Sequence, residues 1–318
     1  GKDRLNGSKD QTNRMIFREF IVYKRRFINY SEFVLHFIEF IVFLYYYSNR
    51  TSEMNFFKAL FGSKEETPEE KTKGEVARNF DTLKYDGVRA LRAGEVRFAT
   101  DCFQHALELQ DDLEVRDYLS QALIGVGDLL PAYEQLQKLA EAQPDNVQIW
   151  IRMANVAYMM EDYGAMANAC EKALLLDGDN PQVHYLYARA CLGQGDTVNA
   201  IAMLTKSIVL KADYYDAYLL RGETLLQVDE VAEADEDVHY LLEHITGNED
   251  VLLLEARVEH RRGEIETAIE TYGKVLDINP FCIAAFKERG ALLIQNGDEE
   301  HGNADLQQAE ALMQETAG

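Results

Sequence analysis

The sequence has little proline, only 5 in 318 residues, so long helices meet few obligatory breaks. It has four cysteines, Cys102, Cys170, Cys191 and Cys282, all far apart. No Cys-x-x-Cys pair occurs and no histidine stands at zinc-finger spacing from them, which excludes the common zinc and redox motifs. Nothing in this usage demands an oxidising compartment. Cys170 and Cys191 fall on apolar helix positions and read as small buried hydrophobes. A sustained period-two alternation, the mark of a half-buried strand, is missing as well. So are the Gly-x-x-x-x-Gly-Lys phosphate loop, the Gly-x-Ser-x-Gly elbow and the His-Glu-x-x-His zinc site. The chain therefore reads as non-catalytic, with no cofactor and no metal. His239 and Glu243, four apart, read as a solvated acidic helix face. Asp177-Gly178-Asp179-Asn180 has the look of a calcium loop but lacks its later glutamate.

Basic charge is also short, and its shortage is uneven. The chain holds 32 Lys+Arg against 55 Asp+Glu, a net of −23. Residues 1–53 carry 9 of the basic and 6 of the acidic side chains, which leaves 23 and 49, a net of −26, for the rest. A body this acidic repels phosphate backbones and excludes nucleic acid as the expected partner. Hydrophobic residues make up 47%, enough for a folded core.

A period organises that acidic body. Glu95, Asp128, Asp162, Asp196, Glu230, Glu264 and Asp298 recur at one interval of 33 residues and then five of 34. Glycine precedes five of them, at Gly94, Gly127, Gly195, Gly263 and Gly297. A glycine ends a helix in the left-handed conformation, and an acid then starts the next helix, where free N–H groups favour a carboxylate. Eight residues before each acid stands a small residue: Gly87, Ser120, Ala154, Ala188, Gly222, Ala256 or Gly290. Four after it stand Ala99, Ala132, Met166, Ala200, Ala234, Ala268 and Gly302. Small side chains on facing sides let two helices pack closely and antiparallel. A larger column, Phe103, Leu136, Cys170, Leu204, Val238, Tyr272 and Leu306, fills the space between helices.

These columns resemble the tetratricopeptide repeat, a helix–turn–helix unit of this period. The motif's leading aromatic is present as Trp150, Tyr218 and Phe286, and its proline as Pro144 and Pro280. The resemblance implies an all-α, right-handed α-solenoid of about seven repeats: 80–112, 113–146, 147–180, 181–214, 215–248, 249–282 and 283–314. Met166 departs from the pattern in repeat 3. Leu241 and Thr246 depart from it in repeat 5, and looser or shifted packing is expected at those places. Each pair buries little alone, and stacking makes the core continuous. The last helix, with Asp305, Gln307, Gln308 and Glu310, is expected to present a polar cap.

The first 79 residues stand apart. Residues 54–79 start as an amphipathic stretch and turn highly charged, as a linker or capping helix. Residues 1–53 are aromatic and apolar, and three readings stay open for them. Translation starts natively at Met54, or the segment packs on the first repeats, or residues 33–47 anchor a membrane. That run of 15 residues is shorter than the roughly 20 a spanning helix needs. The expected location is cytoplasmic, with membrane anchoring through residues 33–47 as the alternative.

The resemblance also implies where binding happens. In that family the first helix of each repeat lines the concave groove. The corresponding positions here include Tyr85, Arg92, Tyr118, Gln121, Ile151, Arg152, Asn155, Tyr158, Tyr185, Leu186, Arg189, Leu219, Arg257 and Arg261. Tyrosine and arginine dominate binding hot spots, and apolar residues on an empty groove call for a partner or self-association. The expected function is a protein-interaction adaptor holding a peptide or protein segment. Its arginines suggest a ligand with apolar anchors and some acidic groups. A membrane-tethered assembly factor and a regulatory subunit of a separate enzyme are the alternatives, and a homo-oligomer is a further one. The Lys–Asn clamp for chaperone C-termini is absent, since Val88 and Tyr118 stand where its asparagines belong.

Overall fold

The computed structural model describes residues 68–316; the readings made for residues 1–67 lie outside the described residues. Residues from Val76 onward form one compact unit. Among the described residues there are fourteen helices and no strand. They pair as α1 (Pro68–Arg92) with α2 (Val96–Leu109), then α3 (Leu113–Val126) with α4 (Leu129–Ala142). Next come α5 (Val147–Met159) with α6 (Tyr163–Leu176), and α7 (Pro181–Gly193) with α8 (Thr197–Leu210). The last three pairs are α9 (Tyr215–Gln227) with α10 (Val231–His244), α11 (Glu249–Arg262) with α12 (Ile265–Ile278), and α13 (Ile283–Gln295) with α14 (Glu299–Thr316). Helix α1 meets α2 at Gly87 and Phe103, each later helix packs on the next along the chain, and first helices also touch directly, α5 on α7 and α9 on α11.

The turn inside each pair is left-handed at one residue. Gly94, Gly127, Gly195, Gly263 and Gly297 have positive φ, and so do Glu161 (57°) and Asp229 (68°), which hold the same position in repeats 3 and 5. The acid that follows is the N-cap of the second helix. Asp162, Asp196 and Asp298 cap with their side chains, accepting from the N–H groups of Ala165, Asn199 and His301. Glu95, Asp128, Glu230 and Glu264 make no such bond. In the three glutamates an extra methylene sets the carboxylate farther from those N–H groups, a difference that does not apply to Asp128. The first helices have a capping column of their own, which the sequence reading missed: Asp112, Asn146, Asn180 and Asn248 accept from the first-turn N–H groups.

The small columns lie where the paired helices meet, and all fourteen residues are buried. A methyl at Gly87 would stand 2.6 Å from the Phe103 ring, and one at Gly222 would stand 2.8 Å from Leu254. The departures are absorbed rather than loosened: Met166 and Leu241 are both fully buried. The core crosses repeat boundaries. One cluster joins Leu136 on α4, Val156 on α5, Cys170 on α6 and Leu186 on α7. Each fully buried leucine of this kind contributes about 2 kcal/mol.

Buried ion pairs lock α9 to α10 and α13 to α14 in the same register. Arg221 donates to Asp237 (2.9 and 2.5 Å) and to Thr205. Arg289 donates to Asp305 (2.7 and 2.8 Å). Asp305 is therefore an inside residue and not part of a polar cap; Gln307, Gln308 and Glu310 are exposed as expected.

Candidate binding face

The expected groove residues separate into three groups. Ile151 and Leu186 are only 4% and 3% exposed. They fill the core between neighbouring helices, so a ligand cannot reach them, and their assignment to the groove is corrected. The aromatic group lies at the surface or half-buried. Tyr85 is 68% exposed. Tyr118 stacks on Phe103 at 5.6 Å and donates to Glu114. Tyr185 sits 5.1 Å from Tyr214, and burial pushes its hydroxyl above the ordinary range. Burial likewise pushes Tyr214 up to about 12. Leu219 is half-buried beside them. Gln121 and Asn155 are exposed but donate to Asp117 and to the Ile151 carbonyl on their own helices.

The cationic group changes the expected chemistry. Arg152 reaches back to α3, where it binds Asp117 and the Ser120 hydroxyl. Arg257 donates to both oxygens of Glu288 (2.9 and 2.8 Å). Arg261 pairs with Asp229. Lys84 pairs with Asp112 and Glu114. Three of the five arginines are thus neutralised within the chain, which removes most of the case for an acidic ligand. Arg189 lies 3.7 Å over the Tyr158 ring and 5.8 Å from that of Tyr185, and among the described residues no carboxylate is bonded to it. Arg92 is exposed at the end of α1.

One concavity of about 580 Å³ opens on this face. It is lined by three successive first helices: Glu223, Leu226 and Gln227 from α9, Arg257, His260 and Arg261 from α11, and Glu288, Ala291, Leu292 and Gln295 from α13. Tyr272 joins from α12 and donates its hydroxyl to Glu288 at 2.8 Å. Burial holds the Glu223 carboxyl above the usual carboxylate range, and Arg257 only partly offsets this. Gln227, His260 and Gln295 were not picked out from the sequence. They stand four or five residues after the small column, the same offsets that gave Tyr158 and Arg261. Tyr272 comes from a second helix, so no first-helix offset finds it.

Other charged features lie elsewhere. His239 and Glu243 form an exposed pair at 3.3 Å. Asp177–Asn180 is the turn before α7, with Asn180 as cap. Among the described residues no group of three or more metal-binding side chains is assembled. No helix among them is long and apolar enough to cross a membrane.

Paired antiparallel helices at a 34-residue period, with small buried columns and a left-handed turn residue, make this the tetratricopeptide-repeat fold. Solved structures agree. A tetratricopeptide repeat protein from Parabacteroides merdae superposes with a TM-score of 0.63 at 13% identity, covering 74% of this chain and 93% of that one. Pseudomonas aeruginosa pilF gives 0.54 at 16% identity, over 68% of this chain and 99% of its own. By sequence, the chain is 24% identical over 243 residues to the BBSome complex member bbs-4 of Caenorhabditis elegans. The match covers 73% of this chain and 52% of that protein, so the chain spans about half the length of this relative. No protein-family model matches the chain.

Proposed function

We propose that the chain is a non-catalytic protein-interaction scaffold that holds a segment of a partner protein against its first-helix face. The observation that carries this reading is the concavity shared by α9, α11 and α13. Exposed Tyr158 on α5 and half-buried Tyr185 and Leu219 on α7 and α9 stand on the first helices of the neighbouring repeats. An extended face of this kind, apolar in parts and polar in others, suits a protein segment better than a compact small molecule. The net of −26 beyond residue 53 argues against nucleic acid. The similarity to a protein named as a complex member favours a second, broader reading, in which the chain is one subunit of a multiprotein assembly.

A photo-reactive amino acid placed at Tyr85, Tyr158 or Gln227 tests the face directly. Controls carry it at Leu175 and Val209, which are 80% and 73% exposed on second helices. Adducts to a common partner from the first-helix positions are expected. Adducts from the second-helix positions alone would sink the reading.

A further inference from the structure

We infer that the concavity of repeats 5 to 7 receives a basic side chain, lysine or arginine, of the bound protein segment, with Glu223 as its counter-charge. This rests on the binding-face reading above and adds the chemistry of the ligand.

The case starts from which charges are already matched. Arg257 gives its Nε and Nη2 hydrogens to Glu288 at 2.9 and 2.8 Å, and Glu288 takes a further bond from Tyr272. Arg261 is matched by Asp229. Glu223 is left over. Its Oε1 stands 3.6 Å from Arg257 Nη1, an ion-pair contact beyond hydrogen-bonding distance. No hydrogen bond to Glu223 forms among the described residues. With Arg257 and Arg261 each balanced by a carboxylate, the site carries one negative charge in surplus, on Glu223.

A neighbour could have filled the gap. Arg189 occupies the position of Glu223 one repeat earlier, but its guanidinium is held over Tyr158 at 3.7 Å, on the side of repeat 3.

The walls fit a long cation. Exposed Ala291 and the methylenes of Gln227 and Gln295 can lie along the aliphatic stem of a lysine or arginine while its head reaches Glu223. The Gln227 side chain adds a carbonyl acceptor in the same lining. A half-buried carboxylate without a donor is unfavourable, and a cation beside it relieves that penalty. Burial already raises the Glu223 carboxyl, which agrees. An acidic ligand would instead have to displace Glu288 or Asp229. The acidic body further attracts a basic segment.

The test pans a phage-displayed random peptide library on the purified full chain and on Glu223→Gln, which is nearly isosteric. Peptides selected by the unaltered chain should share lysine or arginine at one position, and the variant should lose that preference. A selected peptide is then synthesised with lysine or norleucine at that position. Norleucine should weaken binding to the unaltered chain about tenfold or more, and change little with Glu223→Gln. Glu223→Asp should keep the preference for a basic residue. Selected peptides without a shared basic position, or a norleucine penalty that survives Glu223→Gln, overturn the inference while leaving the face as a binding surface. Failure of both proteins to select any peptide counts against the binding face itself.

Discussion

Helices α13 and α14 approach backbone to backbone at Gly290 and Gly302, and this can be tested with one methyl group. A Cβ on Gly302 would lie 2.7 Å from the Gly290 carbonyl oxygen and 3.0 Å from the Ile294 amide nitrogen. Both are backbone atoms, so no rotamer change relieves the clash; the helices must separate. Alanine favours a helix over glycine by about 1 kcal/mol, while overpacking of this kind costs about 1–3 kcal/mol. With rigid backbone on the receiving side the upper part of that range applies, so Gly302→Ala should lose about 2 kcal/mol net. Gly273 on α12 is the control. Its Cβ would meet only the Arg289 guanidinium, at 3.6 Å, an ordinary contact. Gly273→Ala should therefore gain about 0.5–1 kcal/mol from propensity alone. Solenoids need not unfold in one step, so the assay is amide hydrogen exchange resolved by helix. Exchange in α14 should rise about 30-fold in Gly302→Ala, while exchange in α12 should slow in Gly273→Ala. Unchanged protection of α14 in Gly302→Ala would refute the reasoning that small columns exist to bring backbones together.

Three further outcomes are expected. Arg221→Ala should cost about 3–5 kcal/mol, because it leaves Asp237, 1% exposed, as a buried charge without its partner; the double change Arg221→Met, Asp237→Leu should recover most of that in thermal unfolding. Glu161→Gly should stabilise by about 0.5–1 kcal/mol, since a non-glycine residue at φ 57° carries left-handed strain that glycine lacks; an unchanged or lower Tm tells against that strain. Glu223→Gln should raise the Tm near neutral pH. A carboxyl whose folded pKa is raised stabilises the fold only when protonated, so its ionisation subtracts stability as pH rises through the folded value. The advantage of glutamine should fade as pH falls below about 4, where folded and unfolded glutamate are both protonated; an advantage that is constant across pH would assign it to another cause.

The fold was legible because a solenoid repeats its local rules. Seven small residues in register, at Gly87 through Gly290, fix which faces meet before any long-range contact is known. The turn position was legible where glycine marks it, and at Glu161 and Asp229 it was legible only through the period. The caps were half-read. An acid at each second-helix start was visible, but which of them cap was not: Asp162, Asp196 and Asp298 do, while the equally short Asp128 does not. Burial of Ile151 and Leu186 was harder to foresee. Inward-facing positions and positions packed between neighbouring first helices lie about one residue apart on the helical wheel, and the distance between neighbouring helices decides which is which.

A count of arginines overstates the free positive charge of this face, for a reason that the period itself exposes. Counting arginines on one face treats each as free, yet the partners that neutralise them come from the adjacent repeat. Arg152 and Asp117 are 35 residues apart, Arg257 and Glu288 are 31, and Arg261 and Asp229 are 32. In a chain with a 34-residue period, a charge should therefore be weighed against residues one period away before it is offered to a ligand. By that rule Glu223 is weighed against Arg257, one period on and 3.6 Å away, and Arg189, one period back. Arg189 is held by the Tyr158 ring and Arg257 is bound to Glu288. What the face offers a partner is then the charge that both neighbours fail to satisfy.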